Sequence, residues 1–112
     1  MHLTGKQKRF LRAQGHALKP LVWIGKSGIA ANVLNQLDGA LKTRELVKVK
    51  LLESCPLGTA ECAEELAQAA GAAVAQILGH TILFYRPHPE RPVLEWPAGL
   101  EPSPARQGEA QP

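Results

Sequence analysis

The chain has 112 residues, 45% of them hydrophobic, and a net charge of +3. That is enough for one domain with one modest core and too little for two. No run of 18 apolar residues occurs, which excludes an apolar membrane-spanning helix, and the basic N-terminus does not read as a secretory signal.

The first helix starts at Leu3-Thr4-Gly5-Lys6-Gln7, where Thr4 and Gln7 have the spacing of a capping box, and should run over 5–14 and stop at Gly15. Phe10 and Leu11 share one face, and Lys8, Arg9 and Arg12 cluster on the other. Three cations without an interleaved acid repel one another unless an anion is near; the alternative is a solvated helix face. After a connector, Pro20 biases Lys19 toward an extended backbone and opens a strand over 21–24. That strand is apolar throughout, as expected for one buried on both sides, with Trp23 in the core; the alternative is a Trp23 that reaches a surface. Gly25-Lys26-Ser27-Gly28 follows, and a helical pattern starts at once: Ile29, Val33, Leu34, Leu37, Ala40 and Leu41 form its stripe to about Thr43, with Gly39 as a sign of close packing. The next strand alternates, with Val47, Val49 and Leu51 on one face and Lys48 and Lys50 on the other. Thr59 is the expected cap of a third helix that ends at Gly71 and packs through Ala63, Leu66, Ala67 and Ala70; Glu61, Glu64 and Glu65 make it the acidic side. Strands over 73–78 and 81–86 meet at a Gly79-His80 turn. Seven of the nine prolines lie at or beyond Pro87, so the folded domain should span 2–97 and leave a proline-rich, disordered tail over 98–112.

The order helix-strand-helix-strand-helix-strand-strand predicts a single small α/β domain, a mixed four-stranded sheet with helices packed on it. Charge is uneven along it. Residues 1–50 carry ten Lys and Arg against Asp38 and Glu45, and residues 51–112 carry three against eight acids. A split of this kind points to a basic working surface, for which nucleic acid is the commonest partner.

The loop after the first strand sharpens that reading. Two glycines, a lysine between them and a helix N-terminus behind them make a phosphate-sized anion seat, with the N–H groups of Gly28 and Ile29 as donors. A nucleoside-triphosphate loop would need its first glycine at position 20, which is Pro20, and no strand ends in an acid ready for Mg²⁺. Gly-x-x-Gly between a strand and a helix is instead the clamp that some domains place on a nucleic-acid backbone. Other chemistry is thin. His2, His16, His80 and His88 lack metal-ligand spacing, and no Ser-His-Asp set suggests itself. Cys55 and Cys62 have neither zinc nor redox spacing; a reduced, cytoplasmic compartment is the simpler reading, although a disulfide stays open. Cys62, one turn into its helix, reads as a plain half-buried cysteine, with a lowered thiol pKa as the alternative. No cofactor, metal or catalytic residue is expected.

Taken together, Leu3-Thr4-Gly5-Lys6-Gln7-Lys8-Arg9, Leu18-Lys19-Pro20, Gly25-Lys26-Ser27-Gly28-Ile29, Glu45-Leu46-Val47-Lys48-Val49-Lys50 and Gly79 with Thr81 to Arg86 resemble the YhbY-type CRM (chloroplast RNA splicing and ribosome maturation) domain. The resemblance implies an RNA-binding α/β domain similar in shape to the C-terminal domain of translation initiation factor three. Its stand-alone bacterial members are associated with precursors of the large ribosomal subunit. It assigns the loop role to Gly25, Lys26, Ser27 and Gly28, and a basic-surface role to Lys6, Lys8, Arg9, Arg12, Lys19, Lys48, Lys50 and Arg86. The expectation is thus a monomeric, non-enzymatic RNA-binding protein whose contacts position the RNA more than they read its sequence. With so few aromatic residues a broad stacking platform is not expected. The competing reading is a protein-interaction adaptor working through the proline-rich tail.

Overall fold

The computed structural model describes residues 2–102. Its elements are α1 (Gly5–Gly15), β1 (Pro20–Ile24), α2 (Ala31–Arg44), β2 (Leu46–Leu51), α3 (Thr59–Ala70), β3 (Ala73–Leu78) and β4 (Thr81–Tyr85). They occur in the expected order and form a mixed sheet of strand order β1-β2-β4-β3, with β1 parallel to β2 and the remaining pairs antiparallel.

The start of α1 is the capping box read from sequence. Gln7 N–H donates to Thr4 Oγ1 at 3.1 Å, and Thr4 N–H donates to Gln7 Oε1 at 2.9 Å. Gly15 does more than stop the helix: a Cβ there would lie 2.8 Å from Leu83 Cδ2, so the missing side chain lets the last turn lie directly on the sheet. Other details differ from expectation. α2 begins at Ala31, two residues later than its stripe suggests, and its N-cap, Ala30, contributes no side-chain cap. Gly39 faces outward with nothing within 4 Å of a Cβ, so it marks no close packing. The N-cap of α3 is Gly58, with Thr59 already inside the helix, while Gly71 ends it at φ +63 as a left-handed cap.

Two apolar layers hold the sheet. On one face Val22, Ile24, Val47, Val49, Ile82 and Phe84 pack against Val33, Leu37 and Leu41 of α2 and Ala63 and Leu66 of α3. On the other, Leu3 and Leu11 pack against Leu46, Ala73, Ala75, Leu83 and Tyr85. A single helix about 10 Å wide covers about two strands spaced about 4.8 Å apart. α1 lies over β3, β4 and the start of β2 and leaves β1 uncovered. The expectation that β1 is buried on both sides therefore fails. It is an edge strand with Val22 and Ile24 inside, and with Leu21 at 40% and Trp23 at 49% exposure on the open face.

The chain after β4 turns back as a strap fastened to Glu45, a residue 1% exposed that sits at φ +59 between α2 and β2. Its main-chain carbonyl accepts from Arg86 N–H at 2.9 Å. Its carboxylate accepts from His88 N–H at 2.6 Å through Oε2, and from Val93 N–H at 2.6 Å and Leu94 N–H at 2.9 Å through Oε1. The strap then places Trp96 against Phe10, with ring centroids 4.6 Å apart, and edge-on to Tyr85 at 5.6 Å. Contacts continue past the boundary expected at Pro97, because Gln7 Nε2 donates to the carbonyl of Leu100 at 3.0 Å. Residues 103–112 of the expected tail lie outside the described residues.

Replacing the Glu45 carboxylate removes the acceptor of three main-chain donors at once. Glu45→Ala should lower the free energy of unfolding by about 2–4 kcal/mol, measured in urea, and should speed hydrogen exchange of the amides over 88–94. A loss below about 0.5 kcal/mol, the range of ordinary surface substitutions, would mean that Trp96 and the Gln7–Leu100 bond hold the strap without the carboxylate.

Candidate nucleic-acid interface

The open half of the α1 face is built by strand register. Trp23 of β1 lies beside Lys50 of β2, which lies opposite Thr81 of β4, which in turn pairs with Leu78 of β3. This row crosses the sheet at the end where β1 runs into the Gly25–Gly28 turn. Lys48, one step back on the same face, lines a groove of about 470 Å³ with Arg9, Arg12 and His16 of α1 and with Gln76, Leu78, Thr81 and Leu83 of the sheet. Arg9, Arg12 and Lys48 bring three positive charges to the groove, and its lining contains no carboxylate. Lys48 also spans the gap to the connector, donating from Nζ to the carbonyl of Leu18 at 3.1 Å.

The two-glycine segment is a tight turn. Gly28 N–H donates to the carbonyl of Gly25 at 3.0 Å, which puts Lys26 and Ser27 at the exposed tip. Gly28 adopts φ +65, where a side chain would be strained. Gly25 has no such angle, and a Cβ there would meet only ordinary contacts with Ser54 and Leu52 at 3.5 and 3.6 Å. The conformational need falls on one glycine where sequence suggested two. The bond to Gly25 also takes the Gly28 N–H out of the expected anion seat. What the turn offers an anion is Lys26, Ser27, and the first turn of α2, which carries no side-chain cap. Residues 52–57 buttress it from below: Leu52 N–H donates to the Ile24 carbonyl at 2.9 Å, and Pro56 and Leu57 lie under Gly28.

The remaining sequence-expected residues divide. Lys6 is exposed and Lys8 half-buried in the first turn of α1, and Lys19 is exposed just before β1. Ile29 packs against the α2–α3 core. Arg86 is removed from the basic surface. It is half-buried on the opposite side of the sheet, where Nη1 donates to Asp38 Oδ1 at 2.9 Å and to the Ala70 carbonyl at 2.7 Å, and Nη2 donates to the Asp38 carbonyl at 3.2 Å. It fastens the C-terminal end of α3 to α2, a role for which the cation is needed inside the fold. His16, Gln76 and Thr81 belong to the groove and were not singled out by sequence; only the packing of α1 against the β3–β4 hairpin brings them together.

Burial, and then the neighbouring thiol of Cys55, push the Cys62 thiol up to about 12, so it is an inert core residue and not a lowered-pKa nucleophile. Both cysteines are free thiols. Burial and the Glu45 carboxylate push the Tyr85 phenol up to about 12. Among the described residues no group of three His, Cys, Asp or Glu side chains could hold a metal ion, and no helix is long and apolar enough to cross a membrane.

Fold and surface together define a class: a small α/β domain that presents a cationic groove beside a two-glycine turn. The chain belongs to the CRS1 / YhbY (CRM) domain family, whose sequence pattern matches residues 3–86. It is 40% identical over 95 residues to the "Probable RNA-binding protein YqeI" of Bacillus subtilis, covering 85% of this chain and 99% of that one. It is 46% identical over 87 residues to the "Probable RNA-binding protein MJ0652" of Methanocaldococcus jannaschii, covering 76% of this chain and 64% of the other. The solution structure of the hypothetical Staphylococcus aureus protein SAV1595, provisionally described as RNA-binding, superposes with a TM-score of 0.73 at 41% identity, covering 86% of this chain and all of that one.

The Arg86 cluster makes a pH prediction. The Arg86 guanidinium and then the Lys42 ammonium hold the Asp38 carboxyl below its ordinary value of 3.8. A depressed folded-state pKa stabilises the fold above the unfolded value, and that stability is lost as pH falls through the folded one. Unfolding free energy should therefore decline below about pH 4 in the parent chain, and Asp38→Asn should remove part of that decline while lowering stability at pH 7. Identical pH profiles for the two proteins would show that the ion pair contributes nothing.

Proposed function

We propose that this chain binds RNA, and that its RNA is structured ribosomal RNA in a precursor of the large ribosomal subunit, where it acts as a monomeric, non-enzymatic assembly factor in the cytoplasm. One observation carries the reading: cations from α1 and β2 collect on the open part of one sheet face, around a groove lined by no acid. The names of the relatives support the choice of RNA as the polyanion. The family's association with large-subunit precursors supports the choice of ribosomal RNA.

The mechanism is positional. Lys26, with Ser27 and the uncapped start of α2, holds a phosphate at the turn. Arg9, Arg12, Lys48 and Lys50 hold further phosphates along the groove, and Lys6, Lys8 and Lys19 extend the field around it. Such contacts fix where the RNA lies, and selectivity then comes from its shape and its unpaired segments.

The test is binding to a ribosomal RNA fragment across a salt series. Neutralising about five to eight phosphates should make affinity fall by orders of magnitude between low and moderate salt. Lys26→Asp, the pair Arg9→Ala/Arg12→Ala and the pair Lys48→Ala/Lys50→Ala should each weaken binding, and removing each phosphate-binding cation should flatten the salt slope by about 1. Arg86→Ala should lower stability and leave the slope unchanged. Deleting residues 103–112 should leave binding intact, whereas the adaptor reading requires partner binding to be lost. A flat salt response of the parent chain would sink the electrostatic reading.

A further inference from the structure

The edge strand leaves an indole in water beside a lysine of the neighbouring strand. Trp23 is 49% exposed and sits on the open face beside Lys50, in a strand whose inward residues are wholly buried. Scattered exposed apolar side chains are ordinary. This one is set apart by its neighbours. Adjacent strands lie about 4.8 Å apart, so Lys50 is the immediate companion of the ring. Lys26 follows three residues later at the tip of the turn, and Leu21 extends the apolar surface along the strand. The residues in register beside Trp23 across the sheet are Lys50, Thr81 and Leu78, none of them acidic. A flat π-face flanked by cations is complementary to a nucleotide, which is a flat base between anionic phosphates.

We propose that Trp23 is a stacking seat for one unpaired nucleobase of the bound RNA, with the phosphates on either side of that base held by Lys50 and Lys26. The proposal rests on the RNA-binding reading above and adds a partner class to it. Bases inside an A-form duplex cannot reach a side-chain ring, so the RNA segment that meets the turn end of the sheet is a loop, bulge or single strand. Stacking accepts any base, so the seat selects unpaired over paired RNA without reading sequence. The charge around the ring favours this occupant over a protein segment, whose docking would bury Lys50 against apolar surface.

The test uses the full chain with an unpaired RNA octamer and a perfectly paired hairpin of equal phosphate count. Trp23→Ala and Trp23→Leu should weaken octamer binding about tenfold with an unchanged salt slope, since no charge is removed. Trp23→Phe should stay within about threefold of the parent, because it keeps a π-face. Hairpin affinity should change less than about twofold in all three. The octamer should quench parent fluorescence, and the quenching should vanish in Trp23→Phe, where Trp96 is the remaining tryptophan. Equal octamer binding by the parent and Trp23→Ala, with Lys26→Asp still impaired, overturns the stacking seat and leaves the RNA reading standing. A parent that binds neither RNA removes both. A parent that self-associates through this strand, with Trp23→Ala monomeric and RNA affinity unchanged, assigns the face to protein contact and overturns the proposal.

Discussion

A buried carboxylate organises more of this domain than any other single group. Glu45 occupies the corner where α2 becomes β2, at a backbone angle that few side chains accept. A carboxyl group so far from water needs hydrogen-bond partners for its oxygens. Here main-chain N–H groups of His88, Val93 and Leu94 engage them. The same residue therefore fixes a helix-to-strand corner, receives the end of β4 through its own carbonyl, and bends the following chain over α1. Trp96 reaches Phe10 and Tyr85 because of that bend. The position of α1 on the sheet, and with it one wall of the groove, depends on this anchor.

The division of the sheet into covered and open halves follows from β2. Its inward residues Val47, Val49 and Leu51 belong to the core, and its outward residues change character along the strand, from buried Leu46 to Lys48 and Lys50. Sliding α1 toward β1 would desolvate both ammonium groups, which costs far more than burying Leu21 and Trp23 would return. The lysines thus keep the helix on its own half, and the bond from Lys48 to the Leu18 carbonyl ties down the connector that would otherwise cross the gap. A surface that binds a polyanion and a boundary that limits a helix are here the same two side chains.

Much of this was legible in advance. The capping box, the alternation of β2, the left-handed stop at Gly71 and the order of elements are local patterns, and local patterns survive folding. Strand order is not local. Nothing in Leu21-Val22-Trp23-Ile24 itself distinguishes a central strand from an edge, although a proline at a strand's start, here Pro20, is compatible with an edge. Glu45 was readable as a charge before a strand and not as a buried hub, because its partners lie more than 40 residues away. Arg86 looked like one more surface cation for the same reason: its acceptors, Asp38 and Ala70, come from two helices that only the tertiary structure brings together. The turn was located correctly, but its internal bond from Gly28 to Gly25, which decides which N–H groups are free, depends on a geometry the sequence does not state.

The layer that carries α1 is drawn from distant parts of the chain. Gln7 and Leu100 are 93 positions apart, and Phe10 is completed by Trp96. The opposite layer closes within residues 22–84. During synthesis from the N-terminus, the sheet and its two crossover helices thus have all their parts before the first helix has its full seat. Until then Leu46, Ala73, Leu83 and Tyr85 lack their complete cover, and such uncovered apolar surface is what chaperones and aggregation act on. A chain stopped after β4 would carry the two-glycine turn and β2 lysines but would lack the strap that seats the groove's cationic wall. Maturation of the cationic surface is in this way coupled to completion of the polypeptide through Leu100.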